Sequence, residues 1–544
     1  MNELDCVVVG TNELNVDLHY RRLEKMKKIS GAYFPMITAL AKHEGRWMGA
    51  MELLNHVLKS STAKDFDFHI LDLPNLAVCF LTSYLREKGF SVESINFFNK
   101  GRERLKKLLR RGCRSVAISS SMYSEIYPVA ELVQFIRKHN QQVEIIVGGP
   151  YINNLCSFWD ETTQEHLLSK MGADFYIAEA QGEDSLARLL SELRKGGKAN
   201  IASVPNLIYK RDEQASPQQS FARTKRAREN NDINQQMIDW KQFPRSLYSP
   251  TALMRTSKGC PFSCSFCTYP VLGGPYRPID ISLMEKEMRQ FAEVGVKTIL
   301  FVDDTFNASK ERFKNILKMM IKNEFSFSWY SMLRISNIDE EAFELMRDSG
   351  CAQLQLGIES GSQRILDLMD KRAEVGQYRW GIEKAKELGI RSIASCIAGF
   401  PGETAETFQE TEDFIKDTRP DYYFTNLYFH SKEAPIAKRG EEFQVKGRGY
   451  SWSHETMDWR QAIALSSRMY REIEHSMLPP HYMFYSSYAP PYLESKGISR
   501  SLVDQYVRLW RSVILSNLEG REHDFSAIYK LGEKIAKELW SERE

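Results

Sequence analysis

Three cysteines, Cys260, Cys264 and Cys267, stand in a C-x3-C-x2-C spacing within the run KGCPFSCSFC. Soft thiolates this close together suit zinc or an iron–sulfur cluster. Zinc takes four protein ligands in a structural site, or three and a water in a catalytic one. A zinc ribbon would bring a second pair of ligands within about 20 residues. Here the next cysteine is Cys351, and the nearest downstream histidine is His430. A 4Fe–4S cluster has four corners and normally takes four thiolates. Three close cysteines hold three irons and leave the fourth open to an exogenous chelating ligand. The spacing therefore favours an iron–sulfur cluster over zinc.

The elements around the triad say where such a cluster would lie. From Leu253, six strand-like runs alternate with helix-like stretches: LMRTS, TILFVDD, FSWYSMLR, AQLQLGIES, RSIASCIAGFPGE and YYFTNLYFH. Repeating βα units predict a parallel, partial (β/α)6 TIM-type barrel over residues 246–430, with its active site at the strand carboxyl ends. The cysteine loop follows the first strand, at that end.

Residues 1–205 alternate in the same way. CVVVG, SVESINFF, RSVAISS, EIIVGGP and ADFYIAE are short apolar runs with helical stretches between them. They predict a doubly wound, Rossmann-like parallel sheet whose ligands lie at the strand carboxyl ends. Those ends carry SSSM (119–122), GGPYINN (148–154) and EAQGED (179–184). Residues 206–245 read as a polar linker, with NLIYK and SFART as a hairpin around DEQASP and KRAREN as a solvated stretch. Residues 431–544 read as a helical accessory or lid region with an aromatic, proline-rich segment at 479–493.

Composition excludes several classes. The 544 residues carry 73 Lys and Arg against 71 Asp and Glu, a net charge of +2. Neither sign dominates, so no nucleic-acid or membrane partner is expected. No run of about 18 apolar residues predicts a spanning helix. The amino terminus does not resemble a signal peptide, and six further cysteines are scattered singly. A reducing cytoplasm and small buried thiols are the expectation.

The triad, with Phe266 just before its last cysteine, resembles the radical S-adenosylmethionine (SAM) superfamily. The resemblance implies a 4Fe–4S cluster on Cys260, Cys264 and Cys267, with SAM chelating the fourth iron. It also places SAM contacts along the barrel. Asp303 or Asp304 in FVDDTF would accept the SAM ammonium. Arg334 would meet its carboxylate, unless it is a surface arginine. Glu359 and Ser360 in GIESGS would take ribose and methionine, and Gly399 in IAGFPGET would lie near the adenine.

The first region resembles the cobalamin-binding domain fused ahead of such barrels. Base-off cobalamin would then lie across Ser119, Ser120, Met122, Gly148, Gly149, Pro150, Gln181, Gly182 and Glu183. The D-x-H-x-x-G cobalt-ligating signature is absent. Asp17-Leu18-His19 is followed by Arg22 where glycine is needed, so no histidine beneath cobalt is expected.

APIAKRGEEF and GYSWSHETMDW are similar to segments of the PhpK-type radical SAM P-methyltransferases of phosphinate antibiotics. That likeness places Trp452 and His454 at the substrate side of the barrel mouth. It implies two SAM molecules per turnover, one to re-methylate cobalamin and one to yield a 5′-deoxyadenosyl radical. The target would be an unactivated carbon or a phosphinate phosphorus in a specialised-metabolite precursor. The substrate would be a small molecule or carrier-bound, and flavodoxin or ferredoxin would supply electrons. Cyclisation or rearrangement with the same cofactors is the alternative outcome. A tRNA methylthiotransferase would need a second cysteine trio, and a redox or cobalamin sensor would not need the SAM segments.

Overall fold

A computed structural model describes residues 4–62, 66–196, 200–211, 220–235, 237–480 and 487–541. The chain forms two compact units, Met1–Asn15 with Leu71–Leu247, and Val16–Ile70 with Tyr248–Glu544.

The first unit is built on a seven-stranded sheet. Leu4–Thr11 lies between Val92–Phe97 and Cys113–Ser119, all parallel. Glu144–Gly148 and Phe175–Ile177 continue the parallel run. Counted along the chain, these five strands take the order 2-1-3-4-5, the flavodoxin-like doubly wound arrangement. Alternate residues of the central strand serve two cores. Val7 and Val9 join Leu105, Leu132 and Ile136 on one face. Cys6 and Val8 join Val78, Leu85 and Leu189 on the other. A strand buried on both sides reads as a continuous apolar run, which is why CVVVG carries no polar alternation.

The stretch after 205 is not a linker. Leu207–Lys210 and Phe221–Arg223 do form two strands, and these extend the first sheet antiparallel to Phe175–Ile177. Leu207, Ile208 and Phe221 are buried there, which supplies the free energy for docking. The DEQASP turn between them lies outside the described residues. KRAREN is also tied down. The Arg226 guanidinium donates to the Ala178 carbonyl, and Glu229 is buried.

The second unit holds a six-stranded parallel sheet. Its strands are Thr251–Met254, Thr298–Phe301, Ser328–Leu333, Cys351–Glu359, Arg391–Ala398 and Tyr422–Leu427, each paired with the next in sequence. Helices such as Ile281–Glu293, Lys310–Lys322 and Ala405–Thr418 make the crossovers. This order is what successive right-handed βα units give.

A domain boundary at 205 also misplaces Val16–Ile70, which packs in the second unit. Helix Ala50–Thr62 buries Leu53, Leu54, Val57 and Leu58 and packs along helix Ser526–Ser541. Gly532 of that helix leaves room for the Val57 side chain. The Tyr506 hydroxyl donates to the Ala50 carbonyl at 2.6 Å. Of the proline-rich segment 479–493, residues 481–486 lie outside the described residues. Its later part forms the short helix Ala489–Ser495, with Tyr492 and Leu493 buried. Tyr488 stands edge-on to Tyr330 of the third sheet strand.

Of the six scattered cysteines, all but Cys156 are buried, as small hydrophobes would be. No described helix is long and apolar enough to cross a membrane.

Candidate active site

The cysteine loop is pinched at its base. Ser257–Lys258 pairs antiparallel with Arg277–Pro278. Gly259 adopts φ +77, and a Cβ there would lie 2.5 Å from the Pro275 carbonyl, so only glycine fits. The middle of the loop is fastened to the segment after the fourth strand. The Ser265 amide donates to the Met369 carbonyl and its hydroxyl to the Leu368 carbonyl, both at 2.8 Å. The Ser263 hydroxyl donates to Asp370 at 2.7 Å.

Cys264 is buried, while Cys260 and Cys267 are partly open. Burial pushes the Cys267 thiol up to about 11, and the neighbouring Cys264 and Cys260 add to the shift. A bound metal group would draw the proton off such a thiol, since metal ligation takes the thiolate form.

Arg334 ends the third strand and is buried, not a surface arginine. Its guanidinium lies 4.0 Å over the Phe262 ring. Its Nη1 donates to Cys264 Sγ at 3.4 Å and its Nε to the Ser336 hydroxyl at 3.1 Å. Its Nη2 is buried with no partner. A guanidinium held against Cys264 with one buried donor unused fits a carboxylate ligand.

The two aspartates after the second strand separate in role. Asp303 is buried, and its carboxylate accepts from the Thr256 amide at 3.0 Å and the Ser257 amide at 2.6 Å. It also accepts from the Ser257 hydroxyl at 2.8 Å. It braces the start of the cysteine loop, with Oδ1 taking most of these bonds. Asp304 keeps contact with solvent, with the Tyr269 hydroxyl and Arg255 beside it. Burial pushes its carboxyl up to about 6, while the Tyr269 hydroxyl and Arg255 pull against that shift. Asp303→Asn is expected to loosen the loop and cost about 1–3 kcal/mol, because the amide cannot accept all these bonds. Denaturant unfolding of the full chain checks this, and an unchanged midpoint would refute the brace.

Glu359 ends the fourth strand in the left-handed region, at φ +64. A non-glycine residue there is strained and must be held. Lys371 holds it, with Nζ 2.6 Å from Oε1 and both side chains nearly inaccessible. Burial works to lower the Lys371 ammonium, but the Glu359 charge raises it well above the ordinary lysine range. Nζ also stands 5.6 Å over the Phe266 ring, joining the cysteine loop to Glu359. The Ser360 hydroxyl is taken by Thr411 at 3.1 Å and by the Ser362 amide at 3.1 Å.

Gly399 adopts φ +87, and a Cβ there would strike the Trp452 indole. Trp452 donates through Nε1 to the Tyr428 carbonyl at 2.7 Å and stacks on His454 at a 7° interplanar angle. The His454 ring nitrogens face the Gly399 carbonyl and the Thr456 hydroxyl. Burial lowers its imidazole to about 4, so it stays neutral. His454 thus braces the Gly399 turn from within. Glu403 is fully buried, accepts from the Gly399 amide at 2.6 Å, and is pushed up to about 8 by burial.

In the first unit the strand order reverses between Leu4–Thr11 and Cys113–Ser119, and a crevice opens beyond the ends of such strands. Tyr123 spans it, accepting from the Asn12 amide at 2.7 Å and donating to the Gly10 carbonyl at 2.9 Å. Ser119 and Ser121 share a hydrogen bond, Met122 is partly exposed, and the buried Ser120 hydroxyl has no partner. Gly149 adopts φ +105, ψ −172, just ahead of the helix Pro150–Phe158. A Cβ on Gly149 would sit 3.1 Å from that Ser120 hydroxyl. Gly148 is closely packed for a different reason, since a Cβ there would lie 3.3 Å from the Ile177 Cβ in the next strand. Gly149→Ala should cost about 1–3 kcal/mol, the price of a glycine-only conformation. A full-chain melt identical to the parent would contradict this.

Gln181, Gly182 and Glu183 are placed differently. The helix Glu183–Arg194 starts with its amides already served, because Glu229 accepts from Asp184 at 2.9 Å and Ser185 at 2.8 Å. Asn231 donates to Glu183 and, through its backbone, to Gln181. The sequence reading missed Glu229, Tyr123, Lys371 and Phe262. Phe262 alone left a local signal, an aromatic inside the triad. His19 lies in helix Val16–Met26, outside the first unit.

Residues 254–415, which take in the cysteine loop and the second to fifth strands of the sheet, match the Radical SAM superfamily, so that stretch is a radical SAM domain. The nearly complete chain shares the fold of cobalamin-dependent enzymes with that domain. Two of these are the radical SAM methyltransferase TsrM of Kitasatospora setae, solved with cobalamin and a [4Fe-4S] cluster, and the cobalamin-dependent SAM radical enzyme OxsB. The TsrM likeness has a TM-score of 0.60 at 15% identity, covering 95% of this chain and 100% of that one. For OxsB, solved with aqua-cobalamin and SAM, the values are 0.58, 16%, 99% and 80%. At such identities the likeness is one of fold. In sequence, the chain is 28% identical to an uncharacterized methyltransferase of Pyrococcus horikoshii, over 56% of this chain and 64% of that protein. It is 24% identical to the anaerobic magnesium-protoporphyrin IX monomethyl ester cyclase of Rubrivivax gelatinosus, over 54% and 53%. The match thus spans less than two thirds of either relative.

Proposed function

We propose that the chain is a cobalamin-dependent radical SAM methyltransferase acting on an unactivated carbon or a phosphinate phosphorus of a specialised-metabolite precursor. The observation that carries this reading is the cysteine triad with the buried Arg334 guanidinium beside Cys264 and its unused Nη2. When bound, a 4Fe–4S cluster with SAM supplies a 5′-deoxyadenosyl radical, and cobalamin supplies the methyl group.

The chain's own residues bind and orient. Cys260, Cys264 and Cys267 are the cluster ligands. Arg334 Nη2 is the donor for a carboxylate, and Asp304 is the acceptor left for an ammonium. Glu359, fixed by Lys371, is the acceptor for ribose hydroxyls. The Gly399 turn, backed by Trp452, offers bare backbone to a flat base. In the first unit the Ser120 hydroxyl and the Gly149 turn are the groups for the nucleotide tail of cobalamin. A small electron donor such as flavodoxin or ferredoxin, and the reducing cytoplasm, complete the reading.

A second reading, cyclisation with the same cofactors, is favoured by the likeness to the porphyrin ester cyclase. The test is anaerobic turnover of the fully reconstituted enzyme with phosphinate and carbon substrates, read by mass spectrometry. Methylation adds about 14 mass units and leaves both 5′-deoxyadenosine and S-adenosylhomocysteine. 5′-Deoxyadenosine without S-adenosylhomocysteine or mass gain would select cyclisation. Neither product under any condition would reject both.

A further inference from the structure

The second unit carries a cluster of possible metal ligands in its helical part, on elements that supply no residue to the candidate active site. Strands Leu40–His43 and Arg46–Gly49 form a hairpin whose two-residue turn is Glu44-Gly45. Helix Ala50–Thr62 follows at once. One ligand atom each from His43, Glu44 and His56 lies within 4.8 Å of the others.

His43 is held in place from outside the cluster. The Tyr529 hydroxyl, from the last helix, lies 2.9 Å from His43 Nε2. Phe525 stands edge-on to the same ring, 4.8 Å between centroids. His56 presents its ring edge-on to His43 at 5.0 Å, and its Nε2 is 3.9 Å from Glu44 Oε2. Glu44 adopts φ +49 beside Gly45 at φ +80. Such a turn needs positive φ at both central residues and favours Asn, Asp or Gly at the first. A glutamate accepts that strain here and points its carboxylate towards the two histidines.

We propose that His43, Glu44 and His56 bind one divalent transition ion of the zinc class, with water completing a tetrahedral shell. Two imidazoles and one carboxylate suit zinc, cobalt or nickel better than the all-oxygen preference of magnesium or calcium. The Tyr529 hydroxyl is the outer partner that fixes the ring of a ligating histidine. Only small closure is needed, because the ligand atoms already face one another. The ion would staple the hairpin to helix Ala50–Thr62 and, through Tyr529, to the last helix. It would be distinct in ligand chemistry from the sulfur-rich centre at Cys260, Cys264 and Cys267.

The test uses tag-free, full-length protein with its iron–sulfur cluster intact, dialysed against limiting zinc. One zinc per chain is expected by elemental analysis. Its X-ray absorption should show nitrogen and oxygen neighbours, two of them imidazole, and no sulfur. His56→Ala and Glu44→Gln, both at accessible positions, should each lose the zinc while keeping the iron content of the parent. Tyr529→Phe should weaken zinc binding by about 10-fold or more. Sulfur in the zinc shell would mean misloading of the cysteine triad and would overturn the site. So would zinc content unchanged in His56→Ala and Glu44→Gln, or absent from the parent protein.

Discussion

Protein carrying Cys260→Ala, Cys264→Ala and Cys267→Ala is expected to take up no iron–sulfur cluster under anaerobic reconstitution and to cleave no SAM. The loss should be complete rather than graded. These are the three thiols on the loop, and a cluster needs three protein corners before a fourth is left for a ligand. The fold should survive the change. Gly259, the Ser257–Lys258 pairing and the Ser265 bonds to Leu368 and Met369 shape the loop without using a sulfur. Iron and sulfide analysis gives the first readout and denaturant unfolding the second. A triple variant that retained four irons would place the cluster elsewhere and end the radical SAM reading of this loop.

Lys371→Met is expected to produce the largest loss of stability from a single change near the site, about 3–5 kcal/mol. The substitution leaves Glu359 charged, buried and in a left-handed backbone conformation with nothing to hold it. SAM binding should weaken as well, because the Glu359 carboxylate would swing or take up a proton. Adding Glu359→Gln should recover part of the stability, since the unpaired charge is gone, without recovering SAM affinity. Calorimetry and SAM titration of the two variants separate the effects. A single variant that melts with the parent would show that the pair contributes nothing.

The sequence made some of this site legible and hid the rest for identifiable reasons. The triad was readable because its chemistry lies in local spacing. The sheet was readable because βα alternation is a periodic signal. Asp303 and Asp304 were not separable, since neighbours at a strand end differ only in which one turns back onto the loop. Arg334 was visible as a cation after a strand, but its burial depends on Phe262, 72 positions earlier in the chain. Lys371 left no signal, because its meaning comes from Glu359 and Phe266 converging on it. Glu229 stood in a basic run and looked like solvated charge, yet it caps a helix. The same limit explains Val16–Ile70. The apolar face of helix Ala50–Thr62 announces that it will be buried, not which core will bury it.

That last segment has a consequence for how the molecule is made. The face bearing Leu53, Val57 and Leu58 leaves the ribosome early, but its partner is the helix Ser526–Ser541, which is synthesised last. At about 5–20 residues per second, the helix waits roughly half a minute to a minute and a half for that partner. Throughout that interval the nascent chain displays an oily stripe, a natural target for chaperones and a natural seed for aggregation. Translation stalled anywhere before Ser526 would strand it, so truncated products should be insoluble even when both sheets have been completed. The two units also cannot be parted by one cut, since a piece starting at Leu71 lacks the strand Leu4–Thr11 at the heart of its own sheet.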